Sequence, residues 1–108
     1  MRVINRSVLV VLPKQPFLDW LHGAGPTSKH LTLESLRREP SVYLLPARGL
    51  ESDLEKCLEK LCKTIFEEQL DGWYRVKELW PRDRSITAFR EWFDYHFLSM
   101  PIDLAREP

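Results

Sequence analysis

The chain has 108 residues, 44% hydrophobic and 30% charged, a mixture expected of one folded domain over residues 1–108 and not of a disordered chain. Sixteen basic and sixteen acidic residues cancel and are interleaved, as in ESDLEKCLEKLCK (51–63), so no field of one sign builds up. That balance argues against a nucleic-acid partner and against binding to an anionic membrane surface.

SVLVVLP (7–13) is a short, Val-rich apolar run closed by Pro13, which reads as a strand. Its lack of alternation predicts a central strand covered on both faces. PKQPFLDWL (13–21) then turns into a helix with Phe17, Trp20, Leu21 and Ala24 on one face and Pro16 at its first position, where a missing N–H costs nothing. GAGP (23–26) breaks that helix. Thr32 is placed to cap a short helix, LESLRRE (33–39), before Pro40. SVYLLP (41–46) repeats the form of the first strand. From Leu50 to Leu70, apolar residues recur at helical steps, with Ser52 and Glu55 spaced as a capping box and Gly72 as the stop. WYRVKELWPRDR (73–84) is irregular, with room for a helical turn before Pro81. Ser85 caps ITAFREWF, whose Ile86, Phe89, Trp92 and Phe93 share a face. DYHFLSM (94–100) reads as a third strand, ended or held at a sheet edge by Pro101.

These elements predict an α+β fold: a sheet of about three strands, the first one central, packed with three main amphipathic helices in two or three layers. Because both connections between strands carry helices, parallel pairing is open to each. The run VLVVL (8–12) is too short to span a membrane and has no cleavage site, and no other segment offers a span. Cys57 and Cys62 stand five apart in one helix, about 140° around it, so they diverge and read as small core residues. Unpaired thiols and the lack of a secretory signal predict a cytoplasmic protein.

Few residues suggest chemistry. Asp19 and His22 lie near Lys14 at the end of the first strand, but Pro13 and Pro16 remove backbone donors and no glycine admits a phosphate. The turn reads as a hinge, with Asp19 on a solvated helix face. Arg82 and Arg84 precede the helix start at Ser85, where guanidinium groups can hold a carboxylate or phosphate; the plain alternative pairs them with Asp83, Asp71 or Asp94. Trp73, Tyr74 and Trp80 crowd one loop, either covering the end of the core or forming an interaction surface. His96 alternates with Tyr95 and Phe97 and points away from the packed face. His22, His30 and His96 have no metal-ligand spacing, and no nucleotide, hydrolase or RNA-binding motif occurs, so neither metal nor cofactor is expected.

At PKQPFLDW, YLLP, IFEEQLDGW, LWP and FREWFDY the chain resembles a family of small, uncharacterised bacterial proteins of about this length. The resemblance spans most of the chain and implies a stand-alone bacterial cytoplasmic protein, with no activity, cofactor or catalytic residues to carry over. The expected function is a non-catalytic interaction or regulatory role, with a protein partner or a second copy as a homodimer. The alternative is a small enzyme or binding protein for an anionic metabolite, using Arg82, Arg84 and Ser85.

Overall fold

The computed structural model describes residues 2–3, 6–46, 49–99 and 101–105. Very short strands at the two ends, β1 (Arg2–Val3) and β5 (Ile102–Asp103), pair antiparallel. Between them run β2 (Ser7–Pro13), α1 (Gln15–Ala24), α2 (Leu33–Arg37), β3 (Ser41–Leu45), α3 (Glu51–Asp71), α4 (Ile86–Trp92) and β4 (Phe93–Leu98). Single turns of 3₁₀ helix lie at Pro26–Ser28 and Lys77–Leu79, the second just ahead of Pro81.

The main sheet has the order β3-β2-β4, so the first long strand is central, as its composition predicts. Both pairings are antiparallel, which corrects the parallel option. Ser41 sits opposite Val11 and Phe93 opposite Pro13, so β3 and β4 both start where β2 finishes. The reason lies in the number of passes. After β2 the chain goes out along α1 and comes back through α2, returning to the end it left. After β3 it crosses the sheet once, along α3, a helix about 31 Å long at 1.5 Å per residue. β3 and β4 are thus parallel to each other with β2 inserted between them.

One hydrophobic cluster joins Leu9, Val11, Leu45 and Phe93 of the sheet to Phe17 and Leu21 of α1, Leu58, Phe66 and Leu70 of α3, and Phe89 of α4. The fold is therefore α+β, with these three helices layered on one sheet face. Phe66 packs its ring against Phe89, Trp92 and Phe93 at centroid separations of 6.3, 5.3 and 5.2 Å. Truncating such a ring costs about 3–5 kcal/mol. A tyrosine fastens α3 at each end. Tyr43 of β3 donates its hydroxyl to Glu68, and Tyr95 of β4 donates to Glu55 at 3.1 Å.

Local signals account for most boundaries. The Thr32 hydroxyl accepts from the Ser35 N–H at 3.1 Å, and the Ser85 hydroxyl from the Ala88 N–H at 3.3 Å, as expected of N-caps. α3 differs at both ends. It starts at Glu51, and the carboxylate that reaches back to the Leu50 N–H (3.3 Å) belongs to Asp53, so Ser52 and Glu55 form no capping box. Gly72 does end the helix, but with right-handed backbone angles, its N–H bonding Glu68 O at 3.1 Å. β4 begins at Phe93, one residue before the expected strand, because α4 runs straight into it; Met100 lies outside the described residues.

The end ribbon is absent from the sequence-based expectation. Continuing the β2–β4 register would put Arg2 opposite Leu104, yet it faces Asp103. The β1–β5 ladder thus resumes one residue out of step beyond Pro101.

Candidate functional site

The opening turn, PKQPFLDWL, does the work of a hinge. Lys14 donates its backbone N–H to Trp92 O at 2.8 Å and its ammonium to Arg90 O at 2.9 Å, locking the end of β2 to the end of α4. Asp19 and His22 do not pair. Asp19 accepts from Gln15 at 2.8 Å, and the His22 ring bonds Leu31 O at 3.0 Å.

The three rings of the loop after α3 part company. Trp80 is buried, and its indole N–H donates to Tyr74 O at 2.7 Å. Tyr74 is half-buried, edge-on to Trp20 at 5.8 Å and pressed on Gly25, where a β-carbon would collide with its hydroxyl. Trp73 remains 44% exposed. Trp73 and Tyr74 flank a hollow of about 180 Å³ with His30 and Leu31. The Trp20 indole donates to Leu79 O at 2.7 Å, so α1 holds this loop against the core.

Arg82, Arg84 and Ser85 meet at one shallow cleft of about 410 Å³, bordered on α3 by Glu59, Cys62 and Lys63. Arg84 is already engaged: Nε donates to Glu67 at 2.9 Å, another guanidinium N–H donates to Pro81 O at 2.6 Å, and the group lies 5.9 Å from the centre of the Trp80 ring. Its acidic partner is Glu67, not Asp83, Asp71 or Asp94. Asp94 instead pairs with Arg37 at 2.9 Å. The Asp83 carboxylate is held below its ordinary range by the Ser85 hydroxyl and then by the Ser85 backbone N–H, to which it bonds at 3.1 Å. The side chains of Arg82 and Lys63 make no hydrogen bond or ion pair among the described residues. Burial raises the Cys62 thiol pKa, which disfavours the thiolate a nucleophile needs. Both cysteines are free.

A larger concavity, about 510 Å³, lies between the edge of β4 and the start of α3, lined by Glu51, Glu55, Tyr95 and Phe97. Glu55 is held there by the Tyr95 hydroxyl and by Arg90 at 3.1 Å. Burial raises the Tyr95 pKa, so its hydroxyl keeps its proton and serves as a tie, not a base. Among the described residues, no group of three or more His, Cys, Asp or Glu side chains is placed to hold a metal ion. No described helix is long and apolar enough to cross a membrane.

The most unusual surface is the face of the sheet turned away from the helices. Tyr95 and Phe97 of β4 point inward while Asp94, His96 and Leu98 point out, in keeping with the expected direction of His96. On β3, Val42 and Leu44 point out and are 60% and 56% exposed; Leu98 is 50% exposed. Register places Leu44, Val8 and Leu98 in one cross-strand row and Val42, Val10 and His96 in the next. Val8 and Val10 are each only 8% exposed although neither belongs to the main hydrophobic cluster. Both are buried, as the unbroken apolar run of β2 predicts, with Leu44, Leu98, Val42 and His96 beside them in the sheet. At the Pro13 end, Arg37 of α2 donates to Pro13 O and to Asp94, both at 2.9 Å, closing that margin of the face. The signal that marks this surface in the sequence is SVYLL itself, apolar in both strand phases although the strand lies at an edge. Comparison with protein-family models, with curated proteins and with solved structures finds no match.

Proposed function

We propose that this is a non-catalytic interaction protein that associates with a second copy of itself through the outer face and margin of its sheet. One observation carries the reading: Val42, Leu44 and Leu98 stand half or more exposed around Val8 and Val10, a cross-strand apolar patch on the face turned away from α1, α3 and α4. Patches of this kind on a soluble domain mark contact surfaces. The zero formal net charge means that two copies do not repel at long range. A bacterial cytoplasmic setting belongs to the same reading, which the free cysteines favour.

The test is light scattering across a concentration series, on the native chain and on a Leu44→Glu, Leu98→Glu double variant. The native chain should double its mass reversibly as concentration rises, and the double variant should stay monomeric with its thermal midpoint little changed. A native chain that is monomeric throughout overturns the reading.

A second reading rests on the meeting of Arg82, Arg84 and Ser85 with Lys63 at one cleft. There a small dianion would be gripped by the unengaged Arg82 and Lys63 while Glu67 keeps Arg84 in place. Calorimetric titration with inorganic phosphate should then give saturable binding that Arg82→Ala abolishes. Equal heats from both proteins would remove this option.

A further inference from the structure

The two margins of the main sheet are built differently. β4 carries Asp94 and His96 on its outer side, and the start of α3 stands beside its edge at Glu51 and Glu55. Charged side chains and covering elements are the usual protection against strand addition. β3 has neither a charged residue nor a bulge over Ser41–Leu45. Among the described residues its protection lies in its five-residue length and in Pro40 and Pro46 at its two ends.

We infer that β3 pairs antiparallel with β3 of a second copy about a two-fold axis at Tyr43, joining two three-stranded sheets into one of six strands. This rests on the self-association proposed above and specifies its geometry. The stretch PSVYLLP is self-complementary about its centre. With Tyr43 opposite Tyr43, Ser41 meets Leu45 and Val42 meets Leu44, and the prolines face each other beyond both ends of the ladder. Every residue within the ladder keeps its backbone N–H. On the outer face, the two most exposed apolar residues of the main sheet, Val42 and Leu44, become cross-strand neighbours about 4.5–5.5 Å apart. Like charges never stand opposite one another, because the strand has none. On the inner face Tyr43 stays tied to Glu68 and Gln69 of its own copy, so pairing requires no repacking beneath it. A five-residue ladder about 17 Å long, on a sheet about 10 Å thick, presents an edge on the order of 170 Å², against roughly 800 Å² per partner in a standard interface, so the dimer is reversible and strongly concentration-dependent.

Disulfide trapping tests the register. A Val42→Cys chain and a Leu44→Cys chain are oxidised separately and as an equimolar mixture, and the bridges are located by peptide mass spectrometry, which separates them from any at Cys57 or Cys62. Directly opposed positions lie within disulfide reach, whereas position 42 and its own copy are diagonal neighbours and are not. The 42–44 bridge should therefore form in the mixture at a yield at least about tenfold above the 42–42 or 44–44 bridge of either chain alone. A dimer seen by light scattering that gives no 42–44 bridge, or gives 42–42 equally well, overturns this pairing and leaves the apolar-face reading standing. A native chain that stays monomeric overturns both. Unchanged far-ultraviolet circular dichroism of each cysteine variant shows that loss of a bridge is not loss of the fold.

Discussion

The two faces of the sheet draw on the same kinds of residue and put them to opposite use. Leu9 and Val11 of β2 lie under α1, α3 and α4 at 0% and 1% exposure; Val8 and Val10, alternating with them, face the other way and have Leu44, Leu98, Val42 and His96 beside them in the sheet. Burial by a second layer places aromatic rings on both sides of a contact, as Phe66 does with Phe93. On the outer face Val42, Leu44 and Leu98 stay half exposed or more. The lesson is that apolar composition identifies a strand's place in a sheet but does not say what lies above it. The inner face carries the hydrophobic cluster, and the outer face carries the exposed apolar patch.

The largest test of this contrast is Phe66→Ala, expected to lose about 3–5 kcal/mol of unfolding free energy in urea titration, since three rings lose a neighbour. An intermediate effect comes from the tyrosines that fasten α3. Burial and then the bond to Glu68 push the Tyr43 pKa well above its ordinary value, and burial also raises that of Tyr95. A pKa raised in the folded state gives stabilisation that is whole below the unfolded value, about 10, and is lost as pH rises through the folded value. The thermal midpoint should fall as pH climbs above about 10, and a Tyr43→Phe, Tyr95→Phe double variant should flatten that alkaline slope. An unchanged slope would deny the two ties any share in holding the helical layer. The smallest effect belongs to the outer face: Leu44→Thr should shift unfolding free energy by about 0.5 kcal/mol or less at concentrations where the chain is monomeric. A loss comparable to that of Phe66→Ala would show that the outer face is part of the core and erase the distinction.

Much of this was legible from residues close together in the chain. Thr32 and Ser85 cap their helices because a hydroxyl needs only the N–H three residues on. Pro40 and Pro46 bracket β3 for an equally local reason. The start of α3 was harder, since Ser52, Asp53 and Glu55 all suit a helix entrance and only the backbone path past Leu50 selects Asp53. The site residues divide in the same way. Arg84 stands out in the sequence, but its partner Glu67 is 17 positions earlier, on another element, and no local pattern points to it. Trp73, Tyr74 and Trp80 form one cluster in sequence and three environments in space, because each ring turns differently as the loop folds back over Trp20 and Gly25.

The amino-acid sequence by itself determined the kinds of the main elements, their limits to within a few residues and much of the inward face of the three longer helices, because capping and hydrophobic periodicity act within a turn or two of chain. Leu18 and Ala88 join the buried side unannounced. Strand direction, the grouping of Arg82 with Lys63, and the bare outer side of β3 were decided only when distant segments closed on one another. Those features depend on how many times the backbone traverses the sheet and on which side the helices settle, and both are set by the packing of the whole chain rather than by any short stretch of it.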